Sequence, residues 1–223
     1  MNASGRRQET DAHEPSGAST RTVASYAAAV AADTAAPGGG SVAGVVGALA
    51  AALTEMVCHL SAGRAAGLET DAELATTMER ASTLRARLLA LAGDDEAAYS
   101  GYVAATRLPK RTDAEKSDRH AALQRALGTA ADVPFAIATA CQQTLDGLEP
   151  LAAGGNKHLV SDVIVAALCA EVAARAALLN VEVNARLMTD KGRGQTYRQN
   201  AADLEQTVRD RAATIITTAT ARL

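Results

Sequence analysis

A chain of 223 residues that is 48% hydrophobic can bury a sizeable core, and one domain is its simplest organisation. A formal net charge of −3, with no Lys/Arg cluster alternating with aromatic rings, argues against nucleic acid as the main partner. The apolar content is mostly Ala, Val and Leu, with no Trp and a single Phe, Phe135, so composition points to an all-α fold with close small-residue packing.

Residues 1–21 are polar and lack the apolar stretch of a signal peptide; they read as a disordered tail ahead of one helical domain over 22–223. Val23 to about Ala32 reads as a short helix that ends before Pro37-Gly38-Gly39-Gly40-Ser41. The next helix, about Ser41 to Ser61, has the length of a membrane span. Its Ala and Gly content is only weakly hydrophobic, and Glu55 and His59 sit inside it, so a buried helix of a soluble protein is expected, with no membrane partner. Gly40, Gly44 and Gly47 recur three or four residues apart, leaving one face open to a neighbouring helix backbone. Faces such as Gly44 to Ala51 need a close neighbour, for which a second copy of the chain is a candidate.

Thr70/Glu73 and Thr112/Glu115 have capping-box spacing, with one long helix from about Glu73 to Arg107 between them, bent or interrupted at Gly93. Asp132-Val133-Pro134 is expected to break the following helix, and a further one reaches about Leu148. After the Pro150 and Gly154-Gly155-Asn156 junction, Ser161 can N-cap a helix that carries Asp162 in its first turn and runs to about Met188. The last helix is expected from about Tyr197. The whole is a single up-and-down bundle-like domain of seven or so antiparallel helices. Cys58, Cys141 and Cys169 lie far apart with no CxxC spacing, which suits buried thiols in a reducing, cytoplasmic setting.

Three features carry possible chemistry. The glycine loop can present backbone N–H groups at a helix start to an anionic ligand, or can simply be a tight helix entry. Asp95, Tyr99 and Tyr102 share one helix face, where a carboxylate beside phenols suits proton transfer, while a solvated charged face is the plainer reading. Glu55 and His59 are one helical turn apart, either a mutually satisfied buried pair or half of a metal site, with no further ligand at matching spacing and no metal expected. Asp162 and Asn180, 18 residues apart on one helix, are separated by about 27 Å and cannot meet one small group within a single chain.

Together, "APGGGSVAGVVGALAAALTEMVCHL", "DEAAYSGYVAATRLPK" and "GGNKHLVSDVIVAALCAEVAARAALLNVEVN" resemble, in that order, the cyclodeaminase/cyclohydrolase family of folate enzymes. The resemblance implies a helical homodimer or larger oligomer acting on a one-carbon unit carried by a tetrahydrofolate derivative. That folate is the substrate, and no other cofactor is implied. The reaction the resemblance implies first is cyclodeamination, which closes 5-formiminotetrahydrofolate to 5,10-methenyltetrahydrofolate and releases ammonia; the alternative is cyclohydrolase activity, which adds water to the methenyl bridge. A third possibility is a helical binding module that kept the fold without the chemistry. The family's substrate-binding motifs fall on Pro37, Gly38, Gly39, Gly40, Ser41, Asn156 and Ser161, its catalytic positions on Asp95, Asp162 and Lys110, and a further motif on Asn180. The chain departs from the family pattern at Glu55, at His59 and in the "GRAAG" stretch that follows the second helix.

Overall fold

The computed structural model describes residues 18–63 and 71–223; residues 1–17 and Thr70, half of one expected capping box, lie outside the described residues. Within them are six α-helices: α1 (Val23–Val30), α2 (Gly39–Ser61), α3 (Asp71–Thr106), α4 (Asp113–Gly154), α5 (Val160–Leu187) and α6 (Lys191–Thr220). A single 3-10 turn, Lys157–Leu159, precedes α5. The all-α reading holds.

Helix α2 packs against α3, α4 and α5 and runs antiparallel to α3. Its glycines set that register. Gly40 lies opposite Asp95, Gly44 opposite Ala92 and Leu88, and Gly47 opposite Leu88 and Cys141. A Cβ on Gly44 would come within 2.9 Å of the Ala92 Cβ and 3.0 Å of the Leu88 carbonyl oxygen, closer than side-chain carbons normally approach. The neighbour required by this face is therefore α3 of the same chain, and the glycine seam gives no support to a second copy. Small side chains bury little area each, so the seam contributes through dispersion between two closely spaced backbones. By length and composition α2 could cross a membrane, but it is packed as a core helix and 56% of its most apolar window is buried in the fold.

Helix α4 is continuous through Pro134, where a break was expected. A proline removes the N–H that would bond the carbonyl four residues earlier, here Ala130. The Asn184 side chain on α5 supplies the replacement, its Nδ2 donating to Ala130 O at 2.8 Å and to Asn180 O at 2.9 Å. At the end of α4, the Arg222 guanidinium donates to the carbonyls of Leu151, Ala152 and Gly155, groups that a helix end leaves open. Joining the two expected helices into α4 leaves six rather than seven.

Other boundaries follow their caps. Thr112 and Glu115 form both bonds of the expected capping box. Helix α3 passes through Gly93 without interruption. Helix α6 starts at Lys191 rather than near Tyr197, because Asp190 accepts the Arg193 N–H at 2.9 Å and caps it. Gly194, inside α6, faces the Ala185 carbonyl so closely that a Cβ would come within 2.7 Å of its oxygen. Ser161 lies inside α5 rather than capping it; Asn156 caps the preceding 3-10 turn instead.

Candidate active site

The glycine loop and Asp95 meet. Gly38 is the N-cap of α2, and the first bond of the helix runs from Val42 N to Gly38 O at 3.0 Å. The amide groups of Gly39, Gly40 and Ser41 therefore have no acceptor within α2. The Asp95 carboxylate lies against the Gly40 backbone beside these amides, and the Ser41 backbone favours its charged form. A Cβ on Gly40 would overlap that carboxyl group, so only glycine lets α3 bring Asp95 onto the start of α2. Asn180 of α5 closes the other side, its Nδ2 3.9 Å from where a Gly39 Cβ would stand.

Burial is the largest influence on Asp95 and pushes its carboxyl above the ordinary range; the Ser41 backbone opposes this, and the adjacent Glu96 charge reinforces it. The result is a carboxylate whose proton is exchanged closer to neutral pH than that of a solvated one. Neither expected phenol accompanies it: Tyr99 is exposed, and Tyr102 packs with Leu127, Ala131 and Met188. Tyr26 of α1 is the phenol beside the site, 2.8 Å from the Ser41 hydroxyl.

The remaining sequence-derived positions lie elsewhere. Lys110 is exposed in the α3–α4 loop; α3 ends at Thr106, eleven residues and about 17 Å along the axis beyond Asp95. Asn156, Ser161 and Asp162 gather at the opposite end of α2. There Asn156 is buried and committed: its backbone N–H donates to Ser61 Oγ at 3.1 Å, its Nδ2 to Leu60 O at 2.9 Å, and its Oδ1 accepts from His158 N at 3.1 Å. Asp162 stands half-buried in the first turn of α5. With α2 spanning 23 residues, about 35 Å of helix separates the two clusters.

The profile of the formiminotransferase-cyclodeaminase family matches residues 22–203, taking in both clusters and every helix between them. The chain belongs to this family. It is 39% identical over 174 residues to the methenyltetrahydrofolate cyclohydrolase of Methylorubrum extorquens, covering 78% of this chain and 84% of that one. It is 35% identical over 193 residues to the formimidoyltransferase-cyclodeaminase of Rattus norvegicus, covering 86% of this chain and about a third (36%) of that longer protein. The crystal structure of formiminotetrahydrofolate cyclodeaminase from Thermotoga maritima superposes with a TM-score of 0.75 at 28% identity, over 92% of this chain and 96% of that one. The protein is thus a folate one-carbon enzyme of the cyclodeaminase/cyclohydrolase kind.

One sequence expectation, the Glu55–His59 pair, needs correction. Glu55 does not depend on His59: its Oε2 accepts from Arg85 Nε at 2.9 Å, which holds the Glu55 carboxyl below its ordinary range, and His59 is exposed. A cavity of about 830 Å³ between α2, α3 and α4, lined by residues including Thr54, Arg80, Arg87 and Asp146, contains none of the expected site residues. Sequence reading also missed Tyr26, Glu96 and Arg21, whose side chains adjoin Ser41 or one another. Glu96 sits in an acidic run that looks like a solvated face, and nothing in the local pattern marks it as turned inward.

Proposed function

We propose that the protein hydrolyses 5,10-methenyltetrahydrofolate, with Asp95 as the group that carries the proton. The carrying observation is the Asp95 carboxylate packed against the Gly40 backbone at the open amide end of α2 and raised by burial. Water adds to the electron-poor bridging carbon as Asp95 takes a proton from it. The carbinolamine hydroxyl then gives up its proton as the formyl C=O forms, the C–N bond breaks, and the departing ring nitrogen takes the proton that Asp95 held. The cyclohydrolase relative, matched over most of both chains, supports this choice. The second reading is cyclodeamination, supported by the likeness to the Thermotoga maritima enzyme. It passes through a similar tetrahedral carbon, with N10 as the nucleophile and ammonia as the leaving group. In both, the folate carries the one-carbon unit as substrate and no resident cofactor is required. Supplying each substrate separately and following the methenyl absorbance distinguishes them: its decay marks the first reaction, its growth from the 5-formimino substrate the second.

We further propose a homodimer in which the site is completed between copies. Helix α5 exposes Val165, Leu168, Val172, Leu179, Val183 and Leu187 along one stripe, with Leu49 and Leu60 of the adjoining α2 also exposed. A soluble chain rarely leaves so long an apolar face to water. A two-fold axis laying α5 antiparallel on its partner carries the Ser161–Asp162 end of one copy toward the glycine-loop end of the other. That arrangement gives Asp162 a place in a site it cannot reach within its own chain, and the self-complementary face is what a two-fold dimer requires.

A further inference from the structure

Asp95 and its neighbour Glu96 hold the same residue. The Asp95 carboxyl packs on the Gly40–Ser41 backbone, and the Ser41 hydroxyl donates to Glu96 Oε1 at 3.1 Å. With that proton committed, the Ser41 oxygen accepts from the phenol of Tyr26 at 2.8 Å. Arg21 Nη1 stands 3.7 Å from the other Glu96 oxygen. Ser41 is fully buried, and the Tyr26 and Glu96 side chains are partly so; removal of any one member leaves another polar group short of a partner in a poorly solvated place.

We propose that Tyr26 and Glu96 are positioning residues for the folate reaction: they lock the Ser41 hydroxyl, and through it the first turn of α2, so that the Gly40–Ser41 backbone holds the Asp95 carboxylate in one orientation. This rests on reading Asp95 as the proton carrier. The clamp draws on three helices, since Tyr26 belongs to α1, Ser41 to α2 and Glu96 to α3. Ser41 is the residue through which all its parts act. Proton transfer is sensitive to small displacements of the transferring group, so a rotor held from both sides serves the chemistry directly. The ionisable groups around Asp95 are Glu96 on its own helix and Tyr26 and Arg21 from the N-terminal side; α2 and α5 present the uncharged Gly40, Ser41 and Asn180.

Turnover of the folate substrate as a function of pH tests this in the full-length chain, using Glu96→Gln, Glu96→Ala and Tyr26→Phe with Asp95→Asn as reference. Glutamine keeps an oxygen that accepts from Ser41 but removes the charge. Its plateau kcat stays within about twofold of the parent, while the acidic limb of the profile moves to lower pH because Asp95 loses a repulsive neighbour. Alanine removes the acceptor, and Glu96→Ala lowers the plateau kcat about tenfold with KM little changed. Tyr26→Phe keeps the ring, loses the donor and lowers kcat by about threefold to tenfold. A merely structural role would reduce the melting temperature without separating the two Glu96 variants in kcat. Equal plateau values for Glu96→Ala and Glu96→Gln, an acidic limb unmoved in Glu96→Gln, or parental kcat in Tyr26→Phe overturns the proposal. Parental turnover in Asp95→Asn overturns instead the reading of Asp95 on which it rests.

Discussion

The two ends of α2 carry family motifs that look equivalent in sequence and are physically unlike. At the start of the helix, backbone amides lacking intrahelical partners meet a carboxylate that burial keeps inclined toward its protonated form. At the other end, the buried Asn156 places its amide nitrogen on Leu60 O and its oxygen on His158 N, and so ties α2 to the approach of α5. The first arrangement is set up to exchange a proton. The second is set up to hold two helices together, leaving Asp162 beside it with no ion pair or side-chain hydrogen bond among the described residues. Two motifs assigned to one substrate by resemblance therefore sit in unlike surroundings.

The sharpest way to break this contrast is to neutralise one carboxylate at each end. Asp95→Asn should keep its helicity and lose at least about a hundredfold in kcat, as removal of a general acid–base group does. Asp162→Asn should act mainly on KM if it recognises the folate ring, where paired hydrogen bonds to a carboxylate are available. Steady-state kinetics on both variants decides, and equal kcat losses would erase the distinction.

A comparably large effect is expected from the face that joins the two ends. The double variant Val172→Glu with Leu179→Glu alters side chains that are 57% and 64% exposed, so the fold should survive. Light scattering at micromolar concentration should show a monomer, with turnover lost. A fully active monomer would mean that one end is complete by itself.

The glycine loop offers a finer test. Gly40→Ala pushes a methyl group into the Asp95 carboxyl, and turnover should fall with the carboxylate displaced, at a stability cost of about 1–3 kcal/mol. Gly39→Ala meets nothing closer than Asn180 Nδ2 at 3.9 Å, and its backbone is not in the left-handed region, so its melting temperature should match the parent. Weaker folate binding by Gly39→Ala in titration calorimetry would then report a ligand cradle; unchanged binding would make the loop a helix entry only. At the far end, Asn156→Ala should cost about 1–3 kcal/mol, seen as a melting temperature several degrees lower, with kcat altered far less than by Asp95→Asn.

The smallest effect is electrostatic. Because burial raises the Asp95 carboxyl in the folded chain, the protonated form is favoured by folding, and that stabilisation is lost as pH rises through its folded value. Asp95→Asn should therefore melt above the parent at pH 7, and the difference should close as pH falls through the same range. A difference that widens on acidification would show that the Ser41 backbone outweighs burial.

Much of this was readable in the amino-acid order. The alanine-rich composition specified helices, the glycine spacing specified a close helix contact, and Thr112 with Glu115 marked a boundary from local hydrogen bonds alone. That the glycine loop and Asp95 meet was not legible in either motif and came from the packing of α3 on α2. Tertiary structure decided what depends on partners far along the chain. Pro134 leaves α4 whole because Asn184, 50 residues later, donates to the carbonyl that proline orphaned. Glu55 turned to Arg85 rather than to its sequence neighbour, and Tyr26 rather than Tyr99 reached the site. Local pattern reports backbone propensity and nearby caps, whereas the identity of a distant donor, and the burial that raises a carboxyl group, exist only once the helices have packed.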